Sequence, residues 1–452
     1  MTKKIAILGG GESGVGAALL AKKLNYEVFL SDYGKIKEKY IIELKTNAIP
    51  YEETQHTLEK IFEATEVIKS PGIPEHTSII RAIKQRGIPV ISEIEFASRH
   101  TSAKIIGITG SNGKTTTTKL TYHLLKTAGL SVGIGGNVGR SFARNITEQS
   151  REIYVLELSS FQLDGIVGFK PDVAILLNIT PDHLDRYEYK MENYIRSKFR
   201  IAMNQESSDL FIFNGEDSNI QNYLKELSVV SCQLPVASSD SETNKYCFSK
   251  RGNQLVIIPP AGGCSPLGAR GERGQFSTYP QPLKGSNSPL SFDMSQCSLK
   301  GSHNYFNATC AILAAKTFDV SDEAIQKGLN TFQNAPHRLE LVDTINGVEY
   351  INDSKATNVD SVYYALKAME KPVIWIAGGT DKGNDYEPIL DLVVEKVKAL
   401  VCLGVDNQKL IETFSPHLKI IEETKSAKEA VERATIYAEN GDVVLLSPAC
   451  AS

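Results

Sequence analysis

The chain has 452 residues, of which 41% are hydrophobic and 23% charged, and its formal net charge is −4. That length implies more than one domain, because single cores rarely grow beyond about 250–300 residues. The mild acidity lacks the basic excess of a dedicated nucleic-acid binder, and no run in the sequence approaches the ~20 apolar residues of a membrane span.

In chain order, MTKKIAIL places two lysines before an apolar run, but the run breaks into GGGESGVG too early for a secretory leader. KIAIL reads as a strand, AALLAKKLN as a helix, YEVFLSD and EVIKS as strands, RAIKQRG as a helix and IPVISE as a strand. This is the alternation of a parallel, doubly wound sheet. A second unit opens at Lys104 with the strand KIIGIT, a glycine-rich turn and the helix KTTTTKLTYHLLKT, followed by the strands EIYVLELSS and DVAILLNIT. Arg251–Leu290 is crowded with Gly, Pro and Ser and reads as a mobile surface insertion without a core, densest at about 259–290. Helical patterning returns near His303, and a third section carries strand-like GVEYIND, PVIWIAGG, VKALVCLG and DVVLLSP. The expectation is three α/β domains in series, 1–97, 98–335 and 336–452. The seven cysteines are scattered and never in CxxC, which suits reduced thiols in a cytoplasmic protein.

The strongest chemical signal is Gly107–Thr118, GITGSNGKTTTT, between a strand and a helix. Glycines let backbone N–H groups and a helix start wrap a polyphosphate, so Gly110, Ser111, Asn112, Gly113, Lys114, Thr115 and Thr116 are expected to bind ATP. Lys114 would hold the β/γ phosphates and Thr115 a Mg²⁺; the loop departs from the standard P-loop at Ile108. The opening turn Gly9–Gly16 resembles a dinucleotide fingerprint, with Asp32 placed to grip a ribose, but the same geometry serves any pyrophosphate, including that of a UDP-sugar. Glu157 ends a strand where an ATPase keeps a metal-binding carboxylate. NITPDHLD releases Asp182, His183 and Asp185 into a loop suited to cations or substrate, although a lone His183 would be an ordinary loop histidine. By pattern alone Lys198 is a solvated surface lysine. His303, Asn304 and Asn307 open a helix, where capping alone could explain the asparagines. Arg338 offers a planar donor for a γ-phosphate, and IND(353)SKATN is a dense polar run after a strand. GGTDKG presents Lys382 in what could be a simple turn.

GITGSNGKTTTT, ELSSFQL, NITPDHLDR, GSHNYFN, PHRLE, INDSKATN, GGTDKG and LLSPACAS occur in this order. Together they resemble the Mur ligases over almost the whole chain, the insertion excepted, and SSFQL and DSKATN point to the members that act on D-glutamate. The resemblance implies a Rossmann-like UDP-sugar domain (1–97), a central P-loop-type ATPase (98–335) and a Rossmann-like amino-acid domain (336–452). It implies that Gly11, Glu12, Ser13, Gly14, Asp32, Ser70, Pro71 and Gly72 hold uridine diphosphate, with Asn137 reaching the pyrophosphate or sugar. Lys114, Thr115 and Glu157 would serve ATP and one Mg²⁺. His183 and a carbamoylated Lys198 would serve a second, which overturns the surface-lysine reading. Asn304, Asn307, Arg338 and Asp353 would hold adenine, phosphates and ribose. Thr357, Lys382 and Ser452 would lie near the glutamate carboxylates. The family pattern continues past LLSPACAS with an aromatic-containing tail and an Arg-Gly pair, so the third domain is expected to be truncated here.

The implied reaction is ATP-dependent addition of D-glutamate to UDP-N-acetylmuramoyl-L-alanine through an acyl phosphate, by a cytoplasmic monomer with Lys114, His183 and Lys198 at the catalytic centre. Its partners would be those small molecules, with neither nucleic acid nor membrane. Competing expectations are another Mur-family or folylpolyglutamate-type ligase with different substrates, a nucleotide-sensing regulator without turnover, and an NAD-dependent oxidoreductase.

Overall fold

The computed structural model describes residues 3–206, 208–230, 245–251, 254–258, 273–279, 289–299, 301–380 and 384–450. Its strands form three sheets, each accompanied by helices. The first holds β1 (Lys4–Leu8), β2 (Glu27–Ser31), β3 (Tyr51–Glu52), β4 (Glu66–Lys69) and β5 (Val90–Ser92), in the order β3-β2-β1-β4-β5 and parallel throughout. The order reverses at β1, so the crevice beyond its carboxyl end is where such a sheet receives ligands.

The second sheet contains β6 (Lys104–Thr109), β7 (Val132–Gly136), β8 (Ile153–Glu157), β9 (Val173–Leu176), β10 (Leu210–Asn214), β11 (Lys245–Arg251), β12 (Gln254–Ile258), β13 (Arg273–Tyr279) and β14 (Leu290–Asp293). Its order is β14-β12-β11-β13-β10-β9-β6-β8-β7. The half from β10 to β7 is parallel, and every residue of β8 and β9 is buried, as sheets covered on both faces require. The other half is antiparallel and corrects the expectation of a coreless insertion. β12, β13 and β14 lie within or bordering that stretch and extend the second sheet, with Leu255 and Ile257 buried. Short polar-rich strands such as RGQFSTY escape a reading based on apolar runs, because cross-strand pairing holds them in place. Residues 259–272 and 280–288 lie outside the described residues.

The third sheet comprises β15 (Glu340–Ile345), β16 (Val348–Asn352), β17 (Val373–Gly378), β18 (Val397–Leu403), β19 (Ile421–Thr424) and β20 (Val443–Ala449), ordered β15-β16-β20-β17-β18-β19. Only the β15–β16 pair is antiparallel. Trp375, fully buried on β17, donates its indole N–H to the Ser447 carbonyl at 2.8 Å, so the largest core side chain keeps no unpaired donor.

The chain divides into two compact units. One comprises Met1–Cys297 and Phe306–Phe332, the other Ser298–Tyr305 and Gln333–Ser452. Within the first unit, helix Glu12–Lys23 packs on helix Phe142–Glu148. A Cβ on Gly16 would stand 2.0 Å from the Ser141 hydroxyl, so only glycine permits this approach. Arg144, 7% exposed, clamps the junction through its Nε to Glu12 (2.8 Å) and its Nη1 to Glu43 (2.5 Å). Glu93, wholly buried on the helix after β5, accepts the Ala143 N–H, and burial pushes its carboxyl up to about 8.

Candidate active site

The expected phosphate loop joins β6 to helix Lys114–Thr127. Gly113 sits at the start of that helix with φ +83°, and a Cβ there would meet the Asn307 side chain at 2.6 Å. The threonine run would disfavour a helix, yet Thr117 and Thr121 return their hydroxyls to the carbonyls of Gly113 and Thr117 at 3.0 and 2.8 Å. Loop shape is fixed from outside. Asn178, after β9, accepts the Asn112 N–H at 2.8 Å and donates to its carbonyl at 3.1 Å. Ser111 donates its hydroxyl to the Thr180 carbonyl at 2.8 Å and lies 3.1 Å from the Tyr194 hydroxyl. Sequence reasoning quoted Asn178 and Thr180 only as part of a motif and missed Tyr194; the signal was the polar pair ending an otherwise apolar strand.

Two cations converge on this loop. Lys114 donates to the carbonyls of Gly110 and Ser111, each at 2.7 Å. Lys198 donates to the Gly110 carbonyl at 2.8 Å and lies over the Tyr194 ring. Lys198 is 1% exposed, which corrects the surface-lysine reading: helix Met191–Phe199 turns it inward beneath the loop. Burial first, and then the neighbouring charge of Lys114, push its ammonium well below the usual range.

Glu157, 3% exposed at the end of β8, accepts the Asn137 side-chain amide on Oε1 at 2.8 Å, while its Oε2 is buried without a partner among the described residues. His183 stands at φ +53°, its ring 5.2 Å from Phe161 and its Nε2 3.5 Å from Asp182. No group of three or more His, Cys, Asp or Glu residues suited to a metal occurs among the described residues.

A separate cavity of about 750 Å³ opens at the carboxyl ends of the first sheet. Of the expected UDP residues, Gly11, Glu12, Ser13, Asp32, Ser70, Pro71 and Gly72 line it, whereas Gly14 does not. Two of them are already occupied within the fold. Asp32 accepts the N–H groups of Gly10 (2.5 Å) and Gly34 (2.7 Å), and Glu12 accepts the Ser141 N–H (3.0 Å) and Arg144. Their hydrogen bonds make them shapers of the turn. Ser70 Oγ is buried and has no partner among the described residues. Arg186, stacked over Phe161, donates to the carbonyls of Pro71 and Gly72 at 3.3 and 3.4 Å and ties the NITPDHLDR loop to this cavity's wall.

Asn307 belongs to the first unit, and Asn304, Arg338, Asp353 and Thr357 to the second. Asp353, 7% exposed, accepts the Leu339 N–H at 3.1 Å and the Ser447 hydroxyl at 3.0 Å, and burial raises its carboxyl to about 6. Arg338 is half-buried and its charge opposes that rise. Asn358 caps helix Val359–Ala368 by accepting the Ser361 N–H at 2.8 Å. Lys382 and Ser452 lie outside the described residues. The second unit also holds a cavity of about 350 Å³ that the sequence did not announce, lined by Gly379, Tyr386, Lys409 and Cys450 among others.

Comparison with known proteins agrees with this geometry. Family models match residues 4–79 (MurD N-terminal domain), 108–315 (Mur ligase middle domain) and 337–450 (Mur ligase, glutamate ligase domain). The chain is 49% identical to the UDP-N-acetylmuramoylalanine–D-glutamate ligase of Christiangramia forsetii, covering 100% of this chain and 95% of that one. It is 48% identical to the Porphyromonas gingivalis protein of the same name, covering 99% and 94%. Among solved structures, the UDP-N-acetylmuramate–alanine ligase of Thermotoga maritima matches with a TM-score of 0.58 at 17% identity, covering 99% of this chain and 96% of that one, a likeness of fold.

Proposed function

The chain belongs to the Mur ligase family, and we infer that it is the ATP-dependent ligase joining D-glutamate to UDP-N-acetylmuramoyl-L-alanine, a cytoplasmic step of peptidoglycan precursor synthesis. The observation that carries this reading is the convergence of Lys114 and buried Lys198 on one glycine loop, with the half-satisfied Glu157 ending the neighbouring strand, in a chain so similar to enzymes of that name.

The residues present fit ATP and Mg²⁺. The glycine turn at Gly113 opens the helix Lys114–Thr127, whose first N–H groups suit an anion, and the orphaned Oε2 of Glu157 is the oxygen a cation would satisfy. Thr115 and Glu157 would hold one Mg²⁺, and His183 with Lys198 the second. Burial disfavours the charged form of Lys198, and the neutral amine is the form that adds CO₂ and releases a proton, so we assign Lys198 as a carbamate. The cations would supply neutralisation of phosphate charge. We assign residues 1–97 to a Rossmann-like UDP-sugar domain, 98–335 to a P-loop-type ATPase and 336–452 to a Rossmann-like amino-acid domain of a monomer. Asn304, Asn307, Arg338 and Asp353 go to the nucleotide, and Thr357, Lys382 and Ser452 to D-glutamate.

A carboxylate acylates poorly because its leaving group would be an oxide. In the proposed sequence the L-alanine carboxylate attacks the γ-phosphorus and ADP departs. The amine of D-glutamate then attacks the acyl phosphate, loses a proton, and phosphate leaves as the amide forms. No nucleophilic side chain is needed; Lys114 and Arg338 offset converging negative charge, and the loop positions it. The test is release of ADP and phosphate from the purified chain. It should require both UDP-N-acetylmuramoyl-L-alanine and D-glutamate; equal release with L-alanine or L-glutamate as the amine would reject the assignment.

A further inference from the structure

The 750 Å³ cavity contains two aromatic residues that the reading above does not use, Tyr33 and His56. Tyr33 follows β2 and is 76% exposed; His56 follows β3, its ring 5.8 Å from that of Tyr33. Across the carboxyl edge of the sheet, the glycine turn after β1, Asp32 after β2 and His56 after β3 succeed one another. In a sheet of this kind the pyrophosphate sits at the first turn and the ribose at the acidic residue ending the next strand, so the base falls beyond β2 towards β3. Asp32 accepts N–H groups from Gly10 and Gly34, and so pins the segment carrying Tyr33.

The hydrogen-bond pattern fixes which nitrogen of His56 carries the proton. Ser31, fully buried, lies 2.8 Å from Glu52 Oε1 and 2.7 Å from His56 Nδ1. Against the pull of burial, hydrogen bonds from Thr57 and Ser31 hold the Glu52 carboxyl below its usual value, so it is an acceptor only. The one hydroxyl proton of Ser31 goes to an acceptor-only oxygen, Glu52 Oε1 at 2.8 Å or the Gln55 carbonyl at 3.3 Å, so His56 must donate from Nδ1. Burial pushes the imidazole down despite the charges of Glu52 and Asp32, which leaves the ring neutral. Nε2, on the opposite edge and without a partner among the described residues, is an acceptor.

We propose that His56 and Tyr33 select the nucleobase: Nε2 of His56 accepts the N3–H of uracil, and the Tyr33 ring packs on the base face. Cytosine presents a lone pair at N3, which would face the lone pair of Nε2, so the site rejects it. This rests on the UDP-sugar reading of the cavity and adds the residues that make it uridine-specific.

Calorimetric titration of the full-length chain with UMP and with CMP tests it. Wild type should prefer UMP by about tenfold or more, the scale of one buried hydrogen bond gained against one clash. His56→Phe keeps a ring but no acceptor and should bring the preference to within about twofold; His56→Gln, whose amide oxygen accepts, should restore part of it. Ser31→Ala frees the tautomer and should shrink the preference. Tyr33→Ala should weaken both nucleotides about fivefold or more. An unchanged preference in His56→Phe, with UMP still bound, overturns the proposal and leaves the UDP-sugar reading standing. Should His56→Phe bind neither nucleotide, a full preference in Ser31→Ala overturns it instead. A wild-type chain that binds no UMP removes the cavity assignment, and this inference with it.

Discussion

At the scale of single residues, the site depends on two lysines in different surroundings. Lys114 lies at the start of a helix and points along its own loop, where a polyphosphate would bring compensating charge. Lys114→Ala is expected to lower ligase turnover by at least about a hundredfold, read as ADP release; near-normal release would refute its role. Lys198 is buried, and burial first, then the charge of Lys114, disfavour its ammonium form. Lys198→Ala should be nearly inactive, and short carboxylates such as formate should restore part of the rate, because they replace the carbamate oxygens. Absence of rescue, together with an unmodified mass for Lys198-containing peptide under CO₂, would remove that assignment. Neither the burial of Lys198 nor the inward turn of Glu12 was legible in the sequence. SKF looks the same on a solvated helix as on one folded beneath a phosphate loop, and only Gly110, distant in the chain, distinguishes the two.

At the scale of elements, strands were legible wherever burial on both faces produced unbroken apolar runs, as in KIAIL, YVLEL and VAILL. β11–β14 were not, because antiparallel strands near a sheet edge need cross-strand partners more than apolar content. The packing of helix Glu12–Lys23 on Phe142–Glu148 also depends on a partner the sequence did not name, although GESGVG did announce a glycine at the contact. Gly16→Val should therefore destabilise the first unit by about 1–3 kcal/mol through forced displacement of Ser141, measured by thermal unfolding; an unchanged midpoint would mean the helices part freely. In the second unit the element to watch is the turn carrying Asp353. Its carboxyl is raised in the fold to about 6 from 3.8, so the native state prefers the protonated form. The stabilisation is complete below the unfolded value and is lost as pH rises through about 6, by up to roughly 3 kcal/mol. Trp375, the single tryptophan of the chain, reports on this unit by its fluorescence. Between pH 4 and pH 7 its unfolding midpoint in urea should fall for the wild type and stay nearly level in Asp353→Asn. A parallel decline in both would place the titration elsewhere.

At the scale of the whole molecule, the proposed reaction would divide one condensation among the three Mur ligase domains: holding a nucleotide-sugar, activating its carboxylate and presenting an amine. The three-domain order was the most legible property of the chain, because the motifs fall in order near the ends of strands, where parallel sheets receive ligands. The central claim is chemical: the carboxylate oxygen of the acceptor, once joined to phosphorus, must leave with the phosphate. Supplying UDP-N-acetylmuramoyl-L-alanine labelled with ¹⁸O in its carboxylate, together with ATP and D-glutamate, tests that directly by mass spectrometry of the released phosphate. The account predicts one labelled oxygen in each phosphate formed with amide. Phosphate free of label, with amide still accumulating, would contradict it.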